Sequence, residues 1–471
     1  MKNSFWNNTM IFGLGFLLLR GISFFLLPIY TNLLPAYDTG IIFLIYTLLA
    51  FLNPVYAYGM NASLFKYYSD KEYDTLTTTS TSLISVFVSS CIFSGLLIVS
   101  SFFLNLIIVP PGDVVSHNWF FWISLILFFD SISARIFVLL RIQEKSYHFL
   151  FVSAVNICCS LIFNVLFIQY YGLESFGAVL SLFCVSLIQF FCLFPALLSS
   201  ISFSSFSYSL LKTMLHFSIP FLPSALLFVV VGFSDRWFIK YYLGMDQVGY
   251  YGAGYKLGSI MSLVVTAFNL NWQPYYLKTK ENIKNNFSAI GSIAFLSFIS
   301  IGVLLVFFVD LVMHVKWNGN YLIGEDFWPG LIVVPFITLG YLFYGIYILQ
   351  MPSIFILNKQ NWGLVFWIVG SVVNICGNIF LIPNFGLLGA SIATALGYFV
   401  MMAFLVYKNR VWLPLHYEKN IIVIHLFLSF GVVFLKYLYG FSAIWPLGCF
   451  YFIYAFVLVY KTQKKVLHNV L

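Results

Sequence analysis

Residues Phe233–Gly258 read FSDRWFIKYYLGMDQVGYYGAGYKLG, with two adjacent opposite charges, Asp235 and Arg236, at the end of a long apolar segment. The stretch turns through Leu243, Asp246 and Gly249 into a second apolar segment that carries Lys256. An earlier passage from Leu34 to Tyr46 echoes it. Gly40 and Tyr46 stand as far apart as Gly249 and Tyr255, and an aspartate, Asp38 or Asp246, lies just ahead of each glycine. Three more matches follow in the same order: Tyr67-Tyr68 with Tyr275-Tyr276, the VNIC of Val155–Cys158 with that of Val373–Cys376, and Gly177-Ala178 with Gly389-Ala390. The four offsets are 209, 208, 218 and 212 residues. One order at nearly one spacing predicts a duplicated chain whose second half begins at this stretch.

Around that junction the composition is 61% hydrophobic and only 8% charged over 471 residues, where soluble domains carry about 25% charged residues. This excludes a soluble enzyme and predicts an integral membrane protein. Hydropathy and loop chemistry place fourteen spans between Met10–Leu33 and Ala443–Tyr460, among them Phe217–Lys240, Tyr250–Gln273, Trp362–Leu381, Leu387–Tyr407 and Asn420–Lys436. The expected fold is all-α and polytopic. Residues 1–198 form an N-terminal six-helix bundle, 199–216 a cytoplasmic linker, 217–410 a second six-helix bundle, and 411–471 two further helices with a basic tail. Six is even, so both bundles share one orientation and form a parallel repeat.

The net charge of +8 is spread singly between apolar stretches and makes no basic patch, so no nucleic-acid partner is expected. Sorting the lysines and arginines by alternate loops puts sixteen of 23 on one side and only Lys240, Lys316 and Lys436 on the other. That asymmetry places both termini in the cytoplasm. The first apolar run is too long for a signal peptide, holds Arg20 and lacks a small-residue cleavage site. The seven cysteines lie in apolar stretches without metal-ligand spacing, and neither a metal nor a cofactor is expected. Outer loops are short, the longest near Met313–Phe327, and others reduce to turn residues such as Pro110-Pro111-Gly112.

The passage SDRWFIKYYLGMDQVGYYGAGYKLGSIMSLVVTAFNLNWQPYYLK, Ser234 to Lys278, resembles the start of the second half of polysaccharide-export flippases. LPIYTNLLPAYDTG, Leu27 to Gly40, resembles the end of their first helix and the loop after it. These are O-antigen and capsule flippases of the multidrug, oligosaccharidyl-lipid and polysaccharide exporter superfamily. The resemblance implies a bacterial inner-membrane transporter, not an enzyme, with two six-helix bundles around a central cavity and two peripheral helices. It implies a substrate, an oligosaccharide repeat unit on undecaprenyl diphosphate, moved from the cytoplasmic to the periplasmic leaflet by alternating access. A polysaccharide polymerase and chain-length machinery are the partners such a role implies, beside the bilayer itself.

A charge at the centre of a spanning helix costs about 2.5–3.5 kcal/mol even on the gentler insertion scale, so each must be paired, hydrated or useful. Arg20, Arg135, Arg236 and Lys256 are the four cations inside the expected spans. On the flippase reading they supply positive potential for the diphosphate, with bidentate grip from Arg20. Each has a plainer alternative. Arg20 can pair with Asp130 on another helix, Arg135 can snorkel to the interface, Asp235-Arg236 can anchor the interface beside Trp237, and Lys256 can snorkel outward. Asp235 and Arg236 are adjacent, and neighbours on one helix do not face each other, so separate partners are expected for them. Asp130 and Asp235 are the gating or coupling candidates, and the membrane potential acting on the diphosphate is the other source of drive. A drug or cation exporter of the same superfamily would favour acidic cavity residues, and a membrane-embedded polymerase or ligase would carry a larger outer loop.

Overall fold

In a bilayer every backbone N–H and C=O must find a partner within the chain, which leaves the helix as the way for so apolar a sequence to fold. The computed structural model describes all residues except Met1, Ser69, Lys71, 109–117, 279–282, Asn318, His416 and Leu471. The expected turn at Pro110-Pro111-Gly112 and the loop charges Lys71 and Lys280 lie outside the described residues.

The chain divides into two compact units, Met1–Val229 and Val230–Leu471. The first contains α1 (Lys2–Phe25), α2 (Leu27–Leu33), α3 (Ala36–Ala57), α4 (Met60–Tyr68), α5 (Thr75–Ile108), α6 (Asn118–Ile142), α7 (Ser146–Asn164), α8 (Glu174–Leu198), α9 (Tyr208–Ser218) and most of α10 (Phe221–Phe233). α7 runs on into a π-helical turn, Val165–Tyr170. The second unit contains α11 (Asp235–Leu243), α12 (Met245–Gly258), α13 (Ile260–Lys278), α14 (Ile283–His314), α15 (Val334–Gln350), α16 (Pro352–Ile356), α17 (Gln360–Trp412), α18 (Lys419–Tyr439) and α19 (Phe441–Val470). Between α14 and α15 lie a small antiparallel hairpin, β1 (Lys316–Trp317) with β2 (Asn320–Tyr321), and a 3₁₀ segment, Glu325–Val333. The described residues are otherwise helical or in turns and loops, so the architecture is all-α apart from that hairpin.

Among the described residues ten helices are long and apolar enough to cross a membrane, or eleven if the bent pair α9 and α10 is one span. The difference from fourteen has local causes. The 53 residues of α17 merge two expected spans across a kink at Gly386, whose φ of 58° and ψ of −134° are open to glycine. The expected Phe217–Lys240 span is broken twice, near Pro220, which lacks an N–H, and at Ser234, between α10 and α11. Tyr250–Gln273 is broken at Ser259, whose hydroxyl bonds the Lys256 carbonyl at 2.7 Å, a side-chain bond that competes with the helical ladder. Asn420–Lys436 is apolar but short.

Residues expected as a linker, 199–216, include the start of α9, which packs on α4. Ser63 Oγ donates to the Met214 carbonyl at 2.7 Å, and Leu210 and Met214 join Leu64, Val86, Ile136 and Phe149 in the core of the first unit. α18 and α19 likewise complete a core in the second unit with Leu296, Phe307, Ile422 and Ala455. Lys436, expected in an outer loop, is instead 4% exposed. Its ammonium lies 3.3 Å from Asp310 and donates to the Val306 carbonyl at 2.7 Å, tying α18 to α14.

The two halves of the sequence repeat break their first helix at matching points, α1 from α2 at Leu26 and α10 from α11 at Ser234. The repeated tyrosine serves that break in each. Tyr46 meets Tyr30 of α2 at 3.0 Å, and Tyr255 donates to the Gly232 carbonyl of α10 at 2.7 Å. The VNIC asparagines also act alike, Asn156 bonding Gln189 and Asn374 bonding Thr394. In α12, a Cβ on Gly254 would stand 2.0 Å from the Gly330 carbonyl, so this close approach to the 3₁₀ segment requires glycine.

Candidate functional site

The break at Ser234 creates the most polar interior in the second unit. α10 ends at Phe233, leaving the Gly232 carbonyl without its helical donor. α11 begins at Asp235, where a carboxylate favours the positive end of the helix dipole. Asp235 Oδ1 accepts the backbone N–H of Arg236 at 2.9 Å and its guanidinium Nη1 at 2.9 Å. Nη1 also reaches back to the Gly232 carbonyl at 3.2 Å. The expectation of separate partners is thereby corrected. Adjacent residues cannot pair along a regular helix, but at this break the side chain of Arg236 folds back over the first turn. Neither residue anchors an interface: Asp235 is 0% and Arg236 3% exposed.

Aromatic and amide groups enclose the pair. The guanidinium lies 4.1 Å from the Tyr255 ring centroid, a cation–π arrangement. Tyr255 Oη meets Tyr341 Oη at 2.7 Å. Tyr251 donates to Asp235 Oδ2, which Thr394 Oγ1 also approaches at 3.5 Å. Asn374 Oδ1 accepts from Ser234 Oγ at 3.1 Å and from Asn378 Nδ2 at 3.2 Å. Sequence reasoning found the two charges and Tyr255 but assigned nothing to Tyr251, Tyr341, Asn374, Asn378 or Thr394. One signal was available, since Asn374 belongs to the repeated VNIC. Among the described residues no three His, Cys, Asp or Glu side chains converge on a metal site. The oxygens of Asp235, Asn374, Asn378 and Thr394 are hard donors of the kind that suit a small cation, and Asn378 Oδ1 is buried without a donor.

The other expected site residues are spread over both units. Arg135, on α6, is completely buried and does not snorkel. Its guanidinium donates to Asn61 Oδ1 and, at 2.8 Å, to the Ala57 carbonyl. There α3 gives way to α4 through Tyr58, at φ 31°, and Gly59, at φ 74°. A Cβ on Gly59 would lie 2.2 Å from the Ser218 carbonyl of α9, so the joint is held between α6 and α9. Asp130 is half-buried on α6 and bonds Ser186 of α8. Arg20 stands exposed on α1, and Lys256 is half-buried on α12, within electrostatic reach of Arg236. Asp235, Arg236 and Lys256 are thus gathered in the second unit, and Arg20, Asp130 and Arg135 belong to three different settings in the first.

This arrangement of helices is found in solved transporters. A structure of lipid II flippase MurJ in an inward closed conformation matches with a TM-score of 0.73 at 16% identity, covering 96% of this chain and 99% of that one. An inward-facing multidrug resistance MATE transporter of the MOP superfamily matches at 0.64 and 12% identity, over 84% and 93% of the two chains. The chain therefore shares the fold of these two transporters. Residues 5–280, more than half of the chain, match the family described as polysaccharide biosynthesis protein, and the chain belongs to that family. An uncharacterized membrane protein of Methanocaldococcus jannaschii, MJ1068, is 19% identical over 90% of this chain and 88% of its own length.

Proposed function

We propose that this protein is a flippase that carries oligosaccharide repeat units on undecaprenyl diphosphate from the cytoplasmic to the periplasmic leaflet by alternating access, for O-antigen or a related surface polysaccharide. The observation that carries the reading is membership of a polysaccharide biosynthesis family joined to a fold shared with a lipid flippase. Its setting is a bacterial inner membrane with both termini in the cytoplasm, in line with the lysine and arginine asymmetry.

On this proposal the four cations divide into two roles. Arg20 and Lys256 present positive charge to the diphosphate during its passage. Arg135 and Arg236, engaged by carbonyl, amide and carboxylate oxygens, hold the broken helices on which passage depends. A diphosphate with about two negative charges moving outward gains roughly 2.3 kcal/mol per charge per 100 mV of negative-inside potential, so the potential supplies drive without covalent chemistry. Asp235 is the favoured coupling carboxylate over Asp130, because hard oxygen donors surround it.

The test is complementation of a strain lacking its glycan flippase, scored for surface polysaccharide and for lipid-linked units accumulating in the inner leaflet. The wild-type protein restores export. The Arg20→Ala, Lys256→Ala double variant, present in the membrane at wild-type level, restores less than about a tenth of it, as expected from two lost phosphate contacts at about 1.5–3 kcal/mol each. Wild-type export by the double variant would remove both residues from the substrate path.

A further inference from the structure

An open apolar groove of about 530 Å³ lies in the first unit. α9 lines it with Leu211 and Leu215, continued by Ile219 just past its end, and α5 with residues from Ile84 to Phe93, a rise of about 13 Å at 1.5 Å per residue. Tyr58, at the joint between α3 and α4, also lines it. Little in the groove asks for a polar partner, since Ser89 is already bonded to Tyr58 Oη at 3.2 Å and to the Val86 carbonyl. The surface is open: Val88, Ile92 and Ile219 are 49%, 55% and 51% exposed.

α9 carries three rows at four-residue spacing. Leu210, Met214 and Ser218 are buried, with Met214 bonded through its carbonyl to α4. Leu211, Leu215 and Ile219 form the groove row. Tyr208, Lys212 and His216 are exposed, and each lies three residues before a groove residue. Helix positions three apart are surface neighbours, so a lysine and a histidine stand along the edge of the trough. Lys66 of α4 lies elsewhere, its ammonium 4.1 Å from the ring centroid of Phe217, which is two residues from both Leu215 and Ile219 and so on another face of α9. An amphipathic helix with basic residues beside an apolar row is built to lie at the boundary between headgroups and acyl chains.

We propose that this groove binds one acyl chain of an anionic glycerophospholipid, with the phosphate held at the interface beside Lys212 and His216. Hydrocarbon suits the trough, and each lysine near a membrane surface favours an anionic lipid by about five-fold. The bound chain lies against Tyr58 and so steadies the α3–α4 joint that Arg135 also holds. This inference does not depend on which headgroup the protein moves.

The test uses the full-length protein in phosphatidylcholine vesicles containing a few per cent of phosphatidylglycerol with a photoreactive diazirine in its acyl chain. Labelling should concentrate on residues 84–93 and 211–222. Val88→Trp with Leu215→Trp should cut labelling there about five-fold while labelling elsewhere on the protein persists, which separates a filled groove from a failure to fold. Lys212→Glu should lower the preference for the phosphatidylglycerol probe over its phosphatidylcholine counterpart by at least about five-fold. Uniform labelling of all the apolar helices, or equal labelling by the two probes, would overturn the proposal. Complete displacement of the probe by an equimolar amount of undecaprenyl phosphate would also overturn it, assigning the groove to a polyprenyl chain instead.

Discussion

Asp235→Ala is expected to destabilise the protein by about 3–5 kcal/mol, the range for removing one partner of a buried ion pair. Arg236 is 3% exposed and retains its charge. Without Asp235 its positive charge keeps the Gly232 carbonyl and the neighbouring aromatic rings, Tyr255 above all, but no anion. The double variant Asp235→Asn, Arg236→Gln should lie much closer to wild type, because two neutral amides impose no buried charge and retain hydrogen-bonding capacity. Thermal unfolding of the purified variants, arranged as a double-mutant cycle that also includes each single substitution, reads the coupling directly. If Asp235→Ala is no less stable than the double variant, the pair does not hold the break between α10 and α11.

Arg135→Ala should be the next most damaging change. It leaves the Ala57 carbonyl and the Asn61 side chain without their guanidinium donor in a partly buried setting, at up to about 1–3 kcal/mol for each unsatisfied group. It also removes a cation from the C-terminal end of α3, where the helix dipole favours one. Arg135→Lys should recover only part of the loss, because a point-like ammonium cannot span both acceptors as a planar guanidinium does. Melting temperature and transport should fall together in this series. Transport lost at unchanged stability would instead mean that Arg135 contacts the substrate.

The broad architecture was legible in the sequence because it rests on long apolar runs, punctuated by turns and biased in their lysines. Those features are local and additive along the chain. The helix breaks were less legible. Ser234 and Ser259 interrupt the expected spans with no proline beside them to mark the break, and at Ser234 a side chain folds back, which no periodicity reports. The same limit applied to the site. Asp235 and Arg236 stood out as charges in an apolar setting, but Tyr341, Asn374 and Thr394 reach them from segments over 100 residues away and look like ordinary polar residues of spanning helices. Arg135 was legible as a cation near a helix end. Its partners were not, because Ala57 contributes a backbone carbonyl and Asn61 lies beyond a turn that only Gly59 marked.

The repeat was legible for a different reason. Gly40 and Tyr46 match Gly249 and Tyr255 in spacing, and each tyrosine turns out to brace a broken first helix. The charge pair has no such counterpart. Where the second unit breaks its helix at Asp235-Arg236, the first has Leu27-Pro28, and proline within the first turn of α2 does the same work without a charge. The second unit thus carries a polar centre at a position where the first carries an apolar one, which favours a role for that centre beyond folding.

Transbilayer movement is the most direct measure of the central claim. The purified protein is reconstituted into vesicles with a short oligosaccharide on undecaprenyl diphosphate, and an impermeant glycosidase added outside reports how much headgroup becomes accessible. The account predicts that wild-type protein exposes the headgroup initially on the inner leaflet, that a membrane potential favouring movement of negative charge toward the outside speeds this, and that Arg20→Ala with Lys256→Ala slows it at unchanged melting temperature. Cleavage that stops at the outer-leaflet pool, as in protein-free vesicles and irrespective of potential, would contradict it.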